Sequence, residues 1–270
     1  MRRSLFARGV GATVLGASGL ARVGATAFAD TIPEGALTTQ GALFDSLPRP
    51  VVHDWTRIIL GSGVLYQKQI GVGEEIAADG SRLPYYELQV GSPGGSCNPS
   101  TMRKAYLKGS QFGSLFATYP LISNIGRTEN MVYRYGDVEG GGTPAEHGDT
   151  TLRILDEDYL YDPRPLRIMS VAPQRIHVAS TNLTATHVVG EFQGPATKQH
   201  RLVRMELWHS PLFPFGVARY RATVVGLAPF ELHVYAHGHD FQSLLSMSLE
   251  KVRSITKNGQ YGQIPISVGA

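Results

Sequence analysis

The chain has 270 residues with 25 Lys and Arg against 22 Asp and Glu, a formal charge of +3, and Arg2, Arg3, Arg8 and Arg22 all precede the first acid, Asp30. Without those four arginines 21 bases face 22 acids, so residues 30–270 have no global pull toward nucleic acid or anionic lipid. A composition 42% hydrophobic and 17% charged excludes a disordered chain, the single Cys97 excludes an intramolecular disulfide and a cysteine zinc site, and 31 Gly with 16 Pro favour turns and short strands.

Residues 1–29 read as an export signal: a basic start, an apolar Gly/Ala-rich stretch from Gly9 to Ala21, and the small-x-small pattern Ala27-Phe28-Ala29. The pair Arg2-Arg3 resembles a twin-arginine leader, with the general secretory route as the alternative. The expected location is therefore periplasmic or secreted. No later segment approaches the roughly 18 apolar residues of a membrane helix, so no integral span is expected after residue 29.

Residues 30–270 read as a single β-rich domain. A short helix is expected between Leu37 and Leu47, ended by Pro48 and Pro50. Strand-like runs follow at 51–60 and 64–72, where Gln67 and Gln69 fall on the face opposite Lys68 and Ile70. Asp79-Gly80 predicts a turn, Tyr85–Val90 the return strand, and Thr101–Lys108 another strand. Residues 109–165 read as an irregular insertion, and Glu139-Gly140-Gly141-Gly142-Thr143-Pro144 is expected to carry no regular element. Further strands are expected at 167–171, 175–180, 186–192, 201–208, 217–225 and 230–237. Leu244, Leu245, Leu249 and Val252 have helical spacing, which predicts a helix within 241–256.

The sharpest local feature is Glu231-Leu232-His233-Val234-Tyr235-Ala236-His237-Gly238-His239-Asp240. Strict alternation would line one face with Glu231, His233, Tyr235, His237 and His239. His233, His237 and His239 are then candidate ligands for a divalent transition metal, the basis of a metal-dependent hydrolase reading. The alternative is a polar stripe on an antiparallel strand, with no cofactor. The segment Trp208–Gly216 is apolar and punctuated by two prolines. Trp208, Phe213 and Phe215, with Tyr235, are candidate contacts for a hydrophobic ligand, and the commoner use of such aromatics is to fold back onto the core. Asp156-Glu157-Asp158 with Asp162 lacks the glycine and closing Glu of a calcium loop, and no nucleophile elbow, zinc-protease helix or phosphate loop occurs, so no catalytic residue is assigned.

Glu206–Arg219 followed by Phe230–Gly238 resembles the C-terminal half of exported proteins with a fold like the periplasmic lipoprotein carrier, the LolA-like superfamily: a strand ending near Trp208, a Pro/Gly-rich turn, then two antiparallel strands. The runs at 61–90 and 102–108 suit the first half of that layout. The resemblance implies a curved antiparallel sheet or unclosed β-barrel wrapped over a few short helices, whose concave side holds an acyl chain or another hydrophobic ligand. The function expected is an exported, non-catalytic binding or carrier protein for a lipid-like or lipoprotein-like ligand in the bacterial cell envelope. The alternatives are the metal-dependent hydrolase and a structural or assembly subunit of the envelope.

Overall fold

The computed structural model describes residues 32–62, 64–90, 101–106, 131–135, 138–141, 165–194, 201–248, 250–251 and 264–265. The expected leader, Cys97, the acidic cluster at 156–162 and most of the expected insertion lie outside them. A three-residue strand β1 (Leu37–Thr39) runs into the helix α1 (Gln40–Asp45). Thr39 caps the helix, its hydroxyl accepting from Ala42 N at 3.1 Å, and Ser46 and Leu47 close it before Pro48. Leu43, Phe44 and Leu47 are all buried.

A first antiparallel meander follows: β2 (Trp55–Ser62), β3 (Val64–Ile76), β4 (Arg82–Val90), β5 (Thr101–Tyr106), β6 (Met131–Tyr135) and β7 (Val138–Gly141). A second comprises β8 (Pro165–Val178), β9 (Thr181–Gln193), β10 (Leu202–His209), β11 (Val217–Val224) and β12 (Phe230–Gly238). A two-residue strand β13 (Ile264–Pro265) pairs with β7. The described strands form one open sheet in the order β1-β8-β9-β10-β11-β12-β2-β3-β4-β5-β6-β7-β13. The two meanders meet where β12 pairs antiparallel with β2, Phe230 opposite Ser62 and Gly238 opposite Trp55. This is the mainly β, unclosed architecture expected.

One face of the sheet, here the inner face, carries Ile58, Leu60, Ile70, Val72, Tyr86, Leu88, Val203, Met205, Leu207, Tyr220, Phe230 and Leu232, all buried. Helix α1 lies on it: Phe44 meets the Tyr220 ring at 6.1 Å, and Gln40 Nε2 donates to the Tyr220 hydroxyl at 3.5 Å. The turn 210–216 joins it there, with Phe215 6.4 Å from Tyr86. Gly216 takes a φ of 71°, where a Cβ would also strike Pro48. As the alternation predicts, Lys68 and Ile70 point inward and Gln67 and Gln69 outward.

Three expectations are corrected. Glu139, Gly140 and Gly141 do belong to a strand, because β6 pairs with all three and β13 with Glu139 on the other side, which offsets the weak strand preference of glycine. The segments 167–171 and 175–180 are one strand, β8, running through Pro173 and ending before Ala179 and Ser180, whose φ of 50° and 62° make the two-residue turn into β9. Within the range expected to be helical, helix is found among the described residues only at Glu250 and Lys251. Residues 241–248 are instead an extended strap across the outer face, with Phe241, Leu245 and Met247 buried and Gln242, Leu244, Ser246 and Ser248 exposed. Their polar groups bond the sheet rather than a helical ladder. Phe241 N donates to His53 O at 2.9 Å, Leu244 N to Glu87 Oε1 at 3.2 Å, and the Ser243 hydroxyl to Glu87 Oε2. Phe241 lies where Gly71 has no side chain. Beneath the strap Lys104 Nζ reaches Glu75 Oε1 at 2.7 Å and stands 4.5 Å from the Tyr85 ring centre. Burial, then the charge of Glu87, pushes the Tyr85 hydroxyl up to about 12.

Candidate functional site

The alternation that would line up Glu231, His233, Tyr235, His237 and His239 breaks in β12. Val234 pairs with Ile58 and Ala236 with Arg57, leaving Tyr235 as the extra residue of a β-bulge. One inserted residue exchanges the faces of everything after it. Glu231 and His233 stay outside. His237 pairs with buried Thr56 and turns inward, its ring edge-on to Phe213 at 4.9 Å. His239 has left the strand, and its Nδ1 donates to Asp54 Oδ1 at 2.5 Å. His233, His237 and His239 therefore occupy three different settings. Among the described residues no group of three or more His, Cys, Asp or Glu side chains is arranged to hold a metal ion. Burial lowers the pKa of His233, helped by Arg219 and opposed by Glu231; burial also lowers that of His237, helped by His239 and opposed by Asp54.

Asp54 is 1% exposed and also accepts from Val51 N at 2.8 Å. Its neighbours bind the same stretch of chain: His53 Nδ1 donates to Phe241 O at 3.2 Å, and Trp55 Nε1 to Asp240 Oδ1 at 2.7 Å. Residues 53–55 thus clasp residues 239–241.

On the outer face the register places His187, Trp208, Arg219 and His233 side by side across β9, β10, β11 and β12. His187 stacks on Trp208 at 4.5 Å and 9°, and the Arg219 guanidinium stands 5.0 Å from the Trp208 ring centre. Trp208 Nε1 donates to Gln174 Oε1 at 2.7 Å. In the adjoining row Arg219 and Arg221 share one carboxylate oxygen of Glu231, at 3.5 and 3.3 Å.

The tip of the β8–β9 hairpin stands over this surface. Between the tip and strands β11 and β12 lies a cleft of about 400 Å³, lined among others by Val178, Ser180, Arg219, Glu231, His233 and Tyr235. A second concavity of about 580 Å³ follows the same hairpin, past Ile176 and Leu183. His177 Nδ1 donates to Asn182 Oδ1 at 2.9 Å, which leaves its Nε2 as the acceptor of the neutral ring.

The four aromatic candidates separate in the same way. Phe213 and Phe215 are buried in the inner core, and Trp208 is buried under His187. Tyr235 is 56% exposed and borders the cleft, because a bulge residue has no cross-strand neighbour to cover it. Ser180 and Asp54 carry no signal in the sequence that marks them for the site. Alternation along Val217–Val224 puts Arg219 and Arg221 on one face of the strand, whereas Val178-Ala179-Ser180-Thr181 has neither the Gly nor the Asn that marks such a turn.

No family model matches the chain, and no curated protein matches it. Among solved structures it is similar to a candidate lipoprotein from Parabacteroides distasonis, at 12% identity and a TM-score of 0.34 over 71% of this chain and 97% of that one. It is similar also to a candidate exported protein with a YmcC-like fold from Bacteroides fragilis, at 9% identity and a TM-score of 0.35 over 71% of this chain and 98% of that one. No helix among the described residues is long and apolar enough to cross a membrane.

Proposed function

We propose that this is an exported, non-catalytic binding or carrier protein of the bacterial cell envelope, acting on a lipid-like or lipoprotein-like ligand. The signal-like leader supports the compartment. The observation that carries the binding reading is the outer-face cleft of about 400 Å³ with Val178, Ala179 and exposed Tyr235 on its wall. On the inner face α1 and the 210–216 turn occupy the space that a concave ligand cavity would need, which favours the outer cleft as the site. A cleft of this size with an apolar wall and a few polar groups suits a small hydrophobic ligand held by its shape.

Native mass spectrometry of protein purified from the envelope, followed by lipid extraction, tests the reading. A bound amphiphile that is lost when Tyr235 and Val178 are replaced by serine supports it. Protein that is consistently empty, and takes up no amphiphile when incubated with an envelope lipid extract, overturns it.

A further inference from the structure

The cleft is amphipathic, and its polar end holds one guanidinium and one carboxylate, Arg219 and Glu231. Arg219 is held in place by the Trp208 face at 5.0 Å and by Glu231 at 3.5 Å, yet its side chain stays 40% exposed. Arg221 engages the same Glu231 oxygen at 3.3 Å, so that carboxylate is divided between two cations and fully neutralises neither. Around Arg219 the cleft offers two donors, the Ser180 hydroxyl and the His233 imidazole, and Glu231 is the one carboxylate among its lining residues. Val178, Ala179 and the Tyr235 ring form its apolar part. A fixed guanidinium, a hydroxyl and an imidazole converging on a part-enclosed space match a carboxylate or phosphate group, which takes charge-assisted hydrogen bonds from all three.

We propose that the cleft beneath the β8–β9 turn binds the anionic head group of an amphiphile, with Arg219 as counter-ion, Ser180 and His233 as neutral donors, and Tyr235 and Val178 against the chain. This rests on the binding reading above and adds the class of head group. His233 fits its part: burial, then Arg219, lowers its pKa, so near neutral pH the ring keeps one N–H to donate and adds no second cation. The left-handed backbone at Ser180 is a consequence of the tight turn, and it brings a hydroxyl over the floor of the cleft.

Calorimetric titration of residues 30–270 with dodecyl phosphate, dodecanoate, dodecyl maltoside and inorganic phosphate, each below its critical micelle concentration, separates the possibilities. The proposal expects both anionic amphiphiles to bind at least about tenfold more tightly than the maltoside, with the gap closing in Arg219→Gln. The relative strength of dodecyl phosphate and dodecanoate identifies the preferred anion. Ser180→Gly suits the left-handed turn and removes only the hydroxyl, so a several-fold weakening toward the anions in that variant supports the site even if Arg219→Gln fails to fold. Equal binding of the maltoside and the anionic chains overturns the head-group assignment and leaves the hydrophobic reading standing. Inorganic phosphate binding as tightly as dodecyl phosphate overturns the amphiphile. No binding by any of the four overturns both readings.

Discussion

At the scale of single residues, the molecule depends on a few polar side chains that bind backbone or each other out of water. Asp54 is the clearest case, because one buried carboxylate fixes both the turn at Val51 and the ring of His239. Replacing it by alanine strands a backbone N–H and a histidine together. Asp54→Ala is expected to destabilise the fold by about 2–3 kcal/mol, read from urea denaturation midpoints, since hydrogen bonds to a charged group contribute in that range. Wild-type stability in that variant would mean that the clasp is ornamental. His209 makes a comparable bond: its Nδ1 donates to Gly216 O at 2.6 Å and closes the turn that delivers Phe213 and Phe215 to the core. Such contacts are hard to read from sequence, because His53, Asp54 and Trp55 look like the start of a strand and their partners lie 185 to 188 residues further on.

At the scale of elements, alternation and proline stops identified most of the strands and α1, and the misassigned face of β12 has a definite cause. Periodicity assigns a face only while the ladder stays in register. β8 shifts between Ile168 and Ser170, β12 between Val234 and Ala236, and each shift swaps the exposed and buried sets beyond it. Nothing in the residues of β12 announces Tyr235 as the unpaired one; the shift is decided jointly with β2, where Trp55 must lie outward against Gly238. The strap failed for a different reason. Leu244 and Leu245 begin a run of helical spacing, but Glu87 and His53 offer the backbone and serine of residues 241–248 better partners, a tertiary choice overriding a local one. Its seat on the sheet exists because Gly71 leaves room for Phe241. Gly71→Ala should therefore dislodge the strap, and Phe241→Ala alone should cost about 3–5 kcal/mol. In the double variant the added methyl meets empty space, so the two losses are expected to fall well short of their sum in a double-mutant cycle. Simple additivity would show that the strap rests elsewhere.

At the scale of the whole molecule, His187, His209, His233 and His237 all have pKa values lowered by burial from the ordinary 6.5. In the unfolded chain each regains that value, so between the folded and unfolded pKa the unfolded state binds more protons. The stability these rings contribute as neutral groups is complete above about pH 6.5 and is lost as the pH falls through their folded values. Denaturation midpoints should accordingly hold level from pH 8 to 7 and drop steadily toward pH 5. A flat profile across pH 7 to 5 would contradict that. The same scale brings out a property of the seam between the meanders. β12 ends beside the beginning of β2, as if one short turn joined them, yet no peptide bond does. The contacts of His53, Asp54 and Trp55 with residues 239–241 occupy that position and act as a hairpin turn assembled from two distant pieces of chain. In spatial order the sheet from β8 through β12 to β2 and on to β7 is one continuous up-and-down path, cut open and re-ended elsewhere. A chain emerging N-terminus first must leave the β2 edge unpaired until β12 arrives, so closing this non-covalent turn is the natural slow step of folding.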